Sequence, residues 1–219
     1  MPKLAARSVR RARPRWQRRK QARPGEIVTA ALELFVERGF TATKLADVAR
    51  RAGVTKGTVY LYFDSKEALL KTIVRETIVP ALASGEQLVA EHRGSSANLV
   101  ASLIRNWWAC IGETRLSGIP KLMMAEAGNF PALARFFYDE VISRGHRLFA
   151  TAIERGIKAG EFRPMDVKLA VRLAIAPVIH AANWQHSFAL CAPEGSFDVQ
   201  QFLDHHIDIF LRGLAKRPT

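Results

Sequence analysis

Apolar residues recur along this chain at intervals of three and four with almost no two-residue alternation, so the pattern predicts helices and little or no strand. A first helix is expected from about Gly25 to Arg38, with Ile27, Ala31, Leu34 and Phe35 on one face and Gly39 as its stop. Two short helices follow, one from about Lys44 to Ala52 and one opening after Thr55. Leu45, Val48, Ala49 and Ala52 share a face of the first, while Val59 with Tyr62 or Phe63 points inward from the second. A longer run opens at Ser65, and Pro80, which has no N–H to give, is expected to kink or interrupt it. Further helices are expected from Ala97 to Thr114, through IPKLMMAEA, from Pro131 towards Ala159, from Asp166 to Leu190 and from Asp198 to Leu214. The fold class is therefore all-α, with about nine helices. The best membrane candidate, Leu169 to Trp184, is broken by Arg172, Pro177 and His180.

The two short helices carry the chemistry. Gly53 falls where the first must end and the chain must turn, and a residue without Cβ takes the left-handed backbone most easily. Val54 is an apolar plug beneath that turn, and Ala49 is small where two steeply crossed helices approach each other. Thr43 and Thr55 stand where an N-cap hydroxyl is wanted. This is the outline of a helix-turn-helix. The exposed set at its helix starts (Thr43, Thr55, Lys56, Gly57, Thr58, Tyr60, Tyr62 and Lys66) supplies hydroxyl and ammonium donors of the kind that meet phosphate oxygens, and a glycine that lets backbone come close. Simple packing accounts for Ala49, Gly53, Val54 and Val59 alone; it does not account for that exposed set.

The run TKGTVYLYFDSKEAL resembles the signature of the TetR family of bacterial transcription regulators, in detail from Pro24 to Leu70 and elsewhere in length and pattern. The resemblance implies a three-helix DNA-binding head at 24–70 and a larger helical body at 71–219 for ligand binding and dimerisation. It implies a homodimeric, ligand-responsive repressor on double-stranded DNA with no cofactor; the broken apolar run speaks against a membrane partner, and two cysteines without a disulfide framework point to the reducing bacterial cytoplasm. Thr43, Tyr60 and Lys66 are then expected at phosphates. Thr55, Lys56 and Thr58 lie nearer base edges, where Lys56 can donate to guanine O6 and N7.

In the body, Trp107, Trp108, Met123, Met124 and Phe137 are large or soft side chains able to line an apolar pocket for a small apolar or amphipathic effector, though core packing would use the same residues. The last two helices carry apolar faces that include Leu173, Val178, Ala181 and Trp184 on one and Phe202, Ile209 and Phe210 on the other. By resemblance these pair with their copies across a two-fold axis; burial within one subunit is the alternative. A two-fold dimer calls for a pseudo-palindromic operator.

Charge and cysteine change the picture in two places. The net charge is +13, but residues 1–23 hold ten Lys or Arg and no acid, which leaves an excess of +3 for the remainder. Between Pro24 and Leu70 six basic side chains meet six acidic ones, so the head must rely on placement. The segment 1–23 is expected to be a basic arm without fixed structure of its own. Three readings fit it: an arm on the DNA backbone or minor groove, a solvated extension, or a targeting segment. The two cysteines, Cys110 and Cys191, make no disulfide framework and no metal set. His205 and His206 are adjacent and so face different ways, and no HExxH, GxSxG or phosphate-cradling loop occurs. An enzyme is not expected. Two other readings remain beside the regulator: a non-specific architectural DNA binder using the arm, and a ligand carrier with a non-functional head.

Overall fold

The computed structural model describes the backbone of residues 15–193 and 195–216, with side chains from residue 24 onward. Nine helices follow one another among these residues: α1 (Arg15–Arg38), α2 (Leu45–Arg51), α3 (Lys56–Tyr62), α4 (Lys66–Ile73, Val74–Ile78, Val79–Glu91), α5 (Ser96–Trp107, Trp108–Gly112), α6 (Gly118–Glu126), α7 (Pro131–Phe137, Tyr138–Ile142, Ser143–Lys158), α8 (Val167–Gln185) and α9 (Val199–Leu214). No strand forms among them; a single bridge joins Phe162 to Ala215. The first helix begins ten residues before the expected Gly25 and runs through Pro24. The segment expected to be an unstructured arm is thus helical in backbone from Arg15; residues 1–14 lie outside the described residues.

Three helices each contain one wide turn. In α4 the N–H of Val79 reaches back five residues to the carbonyl of Val74. Pro80 follows at once, so the interruption expected there is a widened turn that leaves the helix continuous. Equivalent turns lie at Trp108–Gly112 and Tyr138–Ile142. Ser65 and Ser95 cap α4 and α5, each hydroxyl accepting an N–H three residues on, and Pro131 starts α7 where its missing donor costs nothing.

The core is in two parts. One cluster joins Ile27, Leu34 and Phe35 of α1 to Val48, Val59 and Phe63, then continues without a break into Leu69, Leu70, Ile73 and Leu82 of α4, Ile119 and Leu122 of α6 and Leu133 of α7. The other packs Leu99, Leu103 and Ile104 of α5 with Phe149 and Ile153 of α7, Val171, Ala174 and Val178 of α8, and Leu203 and Ile207 of α9. The head therefore shares its interior with one end of the body, and α6 sits at that junction.

Candidate nucleic-acid interface and cavity

Gly53 ends α2 in the left-handed region at φ +65°, and the N–H of Val54 turns back to the carbonyl of Ala49 at 2.9 Å. Thr55 then caps α3, its hydroxyl oxygen accepting the Thr58 N–H at 3.1 Å and meeting the Thr58 hydroxyl at 2.9 Å. Val59 and Phe63 fill the inward positions, which sends Tyr62 to the surface side at 36% exposure. Outward stand Thr55, Lys56, Gly57 and Tyr60, with Thr58 half-buried beside them. The Lys56 ammonium rests 5.5 Å from the centre of the Tyr60 ring, a cation–π contact that holds both side chains on one side of α3.

Two expected DNA contacts are placed otherwise. Thr43 does not cap α2; Lys44 occupies that position, its N–H 3.4 Å from the Asp47 carboxylate. Thr43 is 1% exposed and donates its hydroxyl inward to the carbonyls of Leu34 and Gly39, at 3.2 and 2.7 Å. Lys66 turns its ammonium onto the loop before α2, donating to the carbonyls of Phe40, Thr41 and Thr43 at 2.8, 3.1 and 3.4 Å, over the Phe40 ring. An ammonium has three protons, and three carbonyls take them. Both residues build the head, the Thr43 hydroxyl and the Lys66 ammonium being turned to backbone carbonyls in this structure. Lys44, exposed at the start of α2, is a further cation at this surface; its position as the residue ahead of an apolar helical face is the signal for it in the sequence.

The head is tied to the body by groups from α6 and its flanks. Glu126, 8% exposed at the end of α6, accepts the Thr41 N–H at 3.0 Å, the Thr41 hydroxyl at 2.8 Å and the Asn129 amide at 3.3 Å. Burial pushes the Glu126 carboxyl up, but the donors on Thr41 and Asn129, with the nearby Lys66 charge, outweigh it and hold the group below the usual carboxylate value. Phe130 meets Phe40 edge to face with ring centres 4.9 Å apart, and Arg115 pairs with Glu33 of α1.

Behind α6 lies a cavity of about 690 Å³. Its wall is apolar almost throughout: Trp107, Met123, Met124 and Phe137 stand on it, with Ile78 and Ile111 from the widened turns of α4 and α5 and Val141 from that of α7. Arg135, Tyr138 and His146 are the polar side chains among the lining residues; burial, and then the Arg172 charge, push the His146 imidazole down. Trp108 is not on this wall. One residue on from Trp107, it faces the second core cluster.

The proposed dimer face divides in the same way. Leu173 and Ile209 are 64% and 69% exposed in the single chain, beside Leu169 at 59%, while Trp184, Phe202 and Phe210 are half-buried. Val178 and Ala181 point inward, at 2% and 0%. They belong to the subunit's own core because α8 is apolar on two faces and the opposite one is turned out. His206 ties α9 to α8 through the Ala174 carbonyl at 2.9 Å, whereas His205 bonds within its own helix. Ser117 and His186 meet at 2.8 Å, with Ser117 buried and its hydroxyl donated to the Thr114 carbonyl, so the pair fastens the end of α8 to the start of α6. No cluster of metal-ligating side chains occurs among the described residues, and no described helix is long and apolar enough to cross a membrane.

A helix-turn-helix head with an outward donor face, packed on a helical body that carries an apolar cavity open on one side, defines a DNA-binding transcription regulator. The family described as bacterial regulatory proteins, tetR family, matches residues 27–73, and the AefR-like transcriptional repressor C-terminal domain matches residues 100–214. The chain is 31% identical over 198 residues to the HTH-type transcriptional repressor KstR2 of Rhodococcus jostii, covering 90% of this chain and 93% of that protein. It is also similar to the fatty acid metabolism regulator protein of Bacillus subtilis, at 25% over 162 residues, 73% of this chain and 82% of the relative. Among solved structures, FadR from Bacillus subtilis in complex with stearoyl-CoA superposes with a TM-score of 0.72 at 21% identity, over 87% of this chain and 98% of that one. The ketosteroid transcriptional regulator KstR2 of Mycobacterium tuberculosis superposes with a TM-score of 0.71 at 25% identity, over 89% and 96%. The chain belongs to the TetR family of bacterial regulatory proteins.

Proposed function

We propose that this protein is a cytoplasmic repressor that grips a pseudo-palindromic operator as a two-fold dimer and lets go when an amphipathic effector with a long apolar part enters the cavity. The observation that carries the reading is the cavity itself. Its roughly 690 Å³ lies in the range of about 300–1,000 Å³ usual for small-molecule sites, and its wall is apolar with a few polar groups. Arg135, Tyr138 and His146 suit an anionic or carbonyl-bearing end, and the remaining wall suits a fatty chain or a fused-ring body. The stearoyl-CoA held by the Bacillus subtilis structure and the ketosteroid in the name of the mycobacterial one point to the same class.

On DNA, Lys56, Thr55 and Thr58 face base edges, Gly57 lets the backbone approach, and the Tyr60 phenol reaches a phosphate. Lys44 takes the phosphate role first expected of Lys66. Leu169, Leu173 and Ile209, with the half-buried Phe202 and Phe210, form the face that meets the partner copy. Release requires the effector to bind the DNA-free state more tightly, by about 1–3 kcal/mol for ordinary coupling. Duplexes selected from a random pool test the reading. They should converge on an inverted repeat with half-sites about one helical turn or a multiple apart, and stearoyl-CoA should lower occupancy. Selection that returns no shared sequence overturns the operator; retention of full occupancy with stearoyl-CoA and with a steroid-CoA overturns the effector class.

A further inference from the structure

The DNA head and the cavity wall meet on opposite sides of one short helix. Met123 and Met124 of α6, with Ala127 just after it, line the cavity. Glu126, between them in sequence, faces away from it and holds Thr41, in the loop that feeds α2, by both its N–H and its hydroxyl. At the other end of α6, a Cβ on Gly118 would stand 2.4 Å from the Val36 side chain, so the helix is pressed directly against α1.

We propose that Glu126 is a positioning residue for the DNA head, the joint through which displacement of the cavity wall is handed to the Thr41 loop and from there to the helix-turn-helix. The proposal rests on the effector reading above and names how it reaches the DNA. The physical reason is the chemistry of a buried carboxylate. Both Glu126 oxygens are used, and a carboxylate largely covered by protein that loses its donors is left with a desolvation cost that water only partly restores. Small motions of α6 are therefore followed by Thr41 in preference to breaking its bonds. What Thr41 does, its neighbours must do. The carbonyls of Phe40, Thr41 and Thr43 are gathered on the Lys66 ammonium, and Phe40 is seated on Phe130, so the loop moves as one piece with the start of α4. An apolar contact at this point would slide. The carboxylate converts a wall shift into a loop shift.

The test fills the cavity without an effector and reads the loop without DNA. Ala127→Phe places a ring into the cavity from the end of α6, and amide hydrogen exchange of residues 40–44 is measured in the full-length protein. With Glu126 present, exchange at 40–44 should rise by about tenfold on filling. In a Glu126→Gln background it should start raised, and filling should then change it by less than about twofold. Equal responses in the two backgrounds, or no response with Glu126 intact, overturn the proposal. If circular dichroism shows that Ala127→Phe does not fold, Met124→Trp fills the same space from a side chain already 68% exposed. A failed operator or effector assignment would appear in the duplex selection and leave this exchange result untouched.

Discussion

The turn at Gly53 and the wall of the cavity are built from the same kinds of helix and differ in what holds them. Around the turn each residue has a specific structural place: Gly53 the positive φ, Thr55 the cap, Val59 and Phe63 the inner positions, Thr43 the carbonyls of Leu34 and Gly39, Lys66 those of the loop before α2. Along the cavity, Trp107, Met123 and Phe137 are held by bulk and polarisable surface, and one side of each faces a space that other side chains do not fill. A DNA-reading surface must be repeated from molecule to molecule in register with base pairs. A receptor for a greasy effector needs volume and a soft boundary, and three wide helical turns contributing to that wall give it a backbone that is less regular than the head's.

The comparison breaks most visibly in the head's core. Phe35 is fully buried and touches Phe40 with ring centres 5.1 Å apart, so Phe35→Ala should cost about 3–5 kcal/mol in denaturant unfolding and remove operator binding with it. A loss below about 1 kcal/mol would mean that the head collapses around the gap, and that its packing is as tolerant as the cavity's.

Lys66→Met should come next, at about 1.5–3 kcal/mol, because three carbonyls lose a charged donor while the aliphatic stem keeps its place. Affinity for DNA should fall through loss of head order, while the dependence of log affinity on log salt keeps its slope. Lys44→Ala should do the reverse, leaving stability alone and reducing the slope by about 0.9. If Lys66→Met flattens the slope, its ammonium leaves the loop and reaches phosphate in the complex.

How much of this could be read from the residues follows the same division. The head's turn, the α3 cap and the inward residues of α2 were legible because glycine, threonine and small apolar residues signal locally. The errors there came from distance. Whether Thr43 or Lys44 caps α2 is a shift of one residue, decided by the carbonyls of Leu34 and Gly39. Nothing beside Lys66 in sequence announces a loop more than twenty residues earlier. Glu126 was missed for the same reason, since its one local partner is the Asn129 amide and the Thr41 it holds lies 85 residues away. In the body, the six helices from α4 to α9 were legible from period, but the period could not choose between faces. Trp107 and Trp108 differ by one step around a helix, yet Trp107 reaches the cavity wall and Trp108 is buried in the second core cluster, and α8, apolar on two sides, hid the fact that Leu173 looks out while Val178 and Ala181 look in.

Thr55→Ala should cost about 1 kcal/mol through loss of the α3 cap. Thr55→Ser restores the acceptor and should restore the stability. Operator affinity then separates the two duties: a serine protein that is as stable as the parent but binds less well lacks the threonine methyl at a base edge, and one that binds fully shows Thr55 to be a cap only.

The smallest expected effect is the sharpest test of the contrast. Met124 lines the cavity but is 68% exposed, and its sulfur accepts the Asn183 amide at 3.3 Å, a weak contact. Met124→Ala should move the unfolding midpoint by no more than about 0.5 kcal/mol, since little of the side chain leaves water on folding. The same substitution removes a soft wall from the effector's space, so binding of stearoyl-CoA, followed by calorimetry, should weaken while the fold stays as it was. Should Met124→Ala instead destabilise the protein on the scale of Phe35→Ala, the wall is core in its own right. The difference between a head held by individual bonds and a body held by volume would then have to be given up.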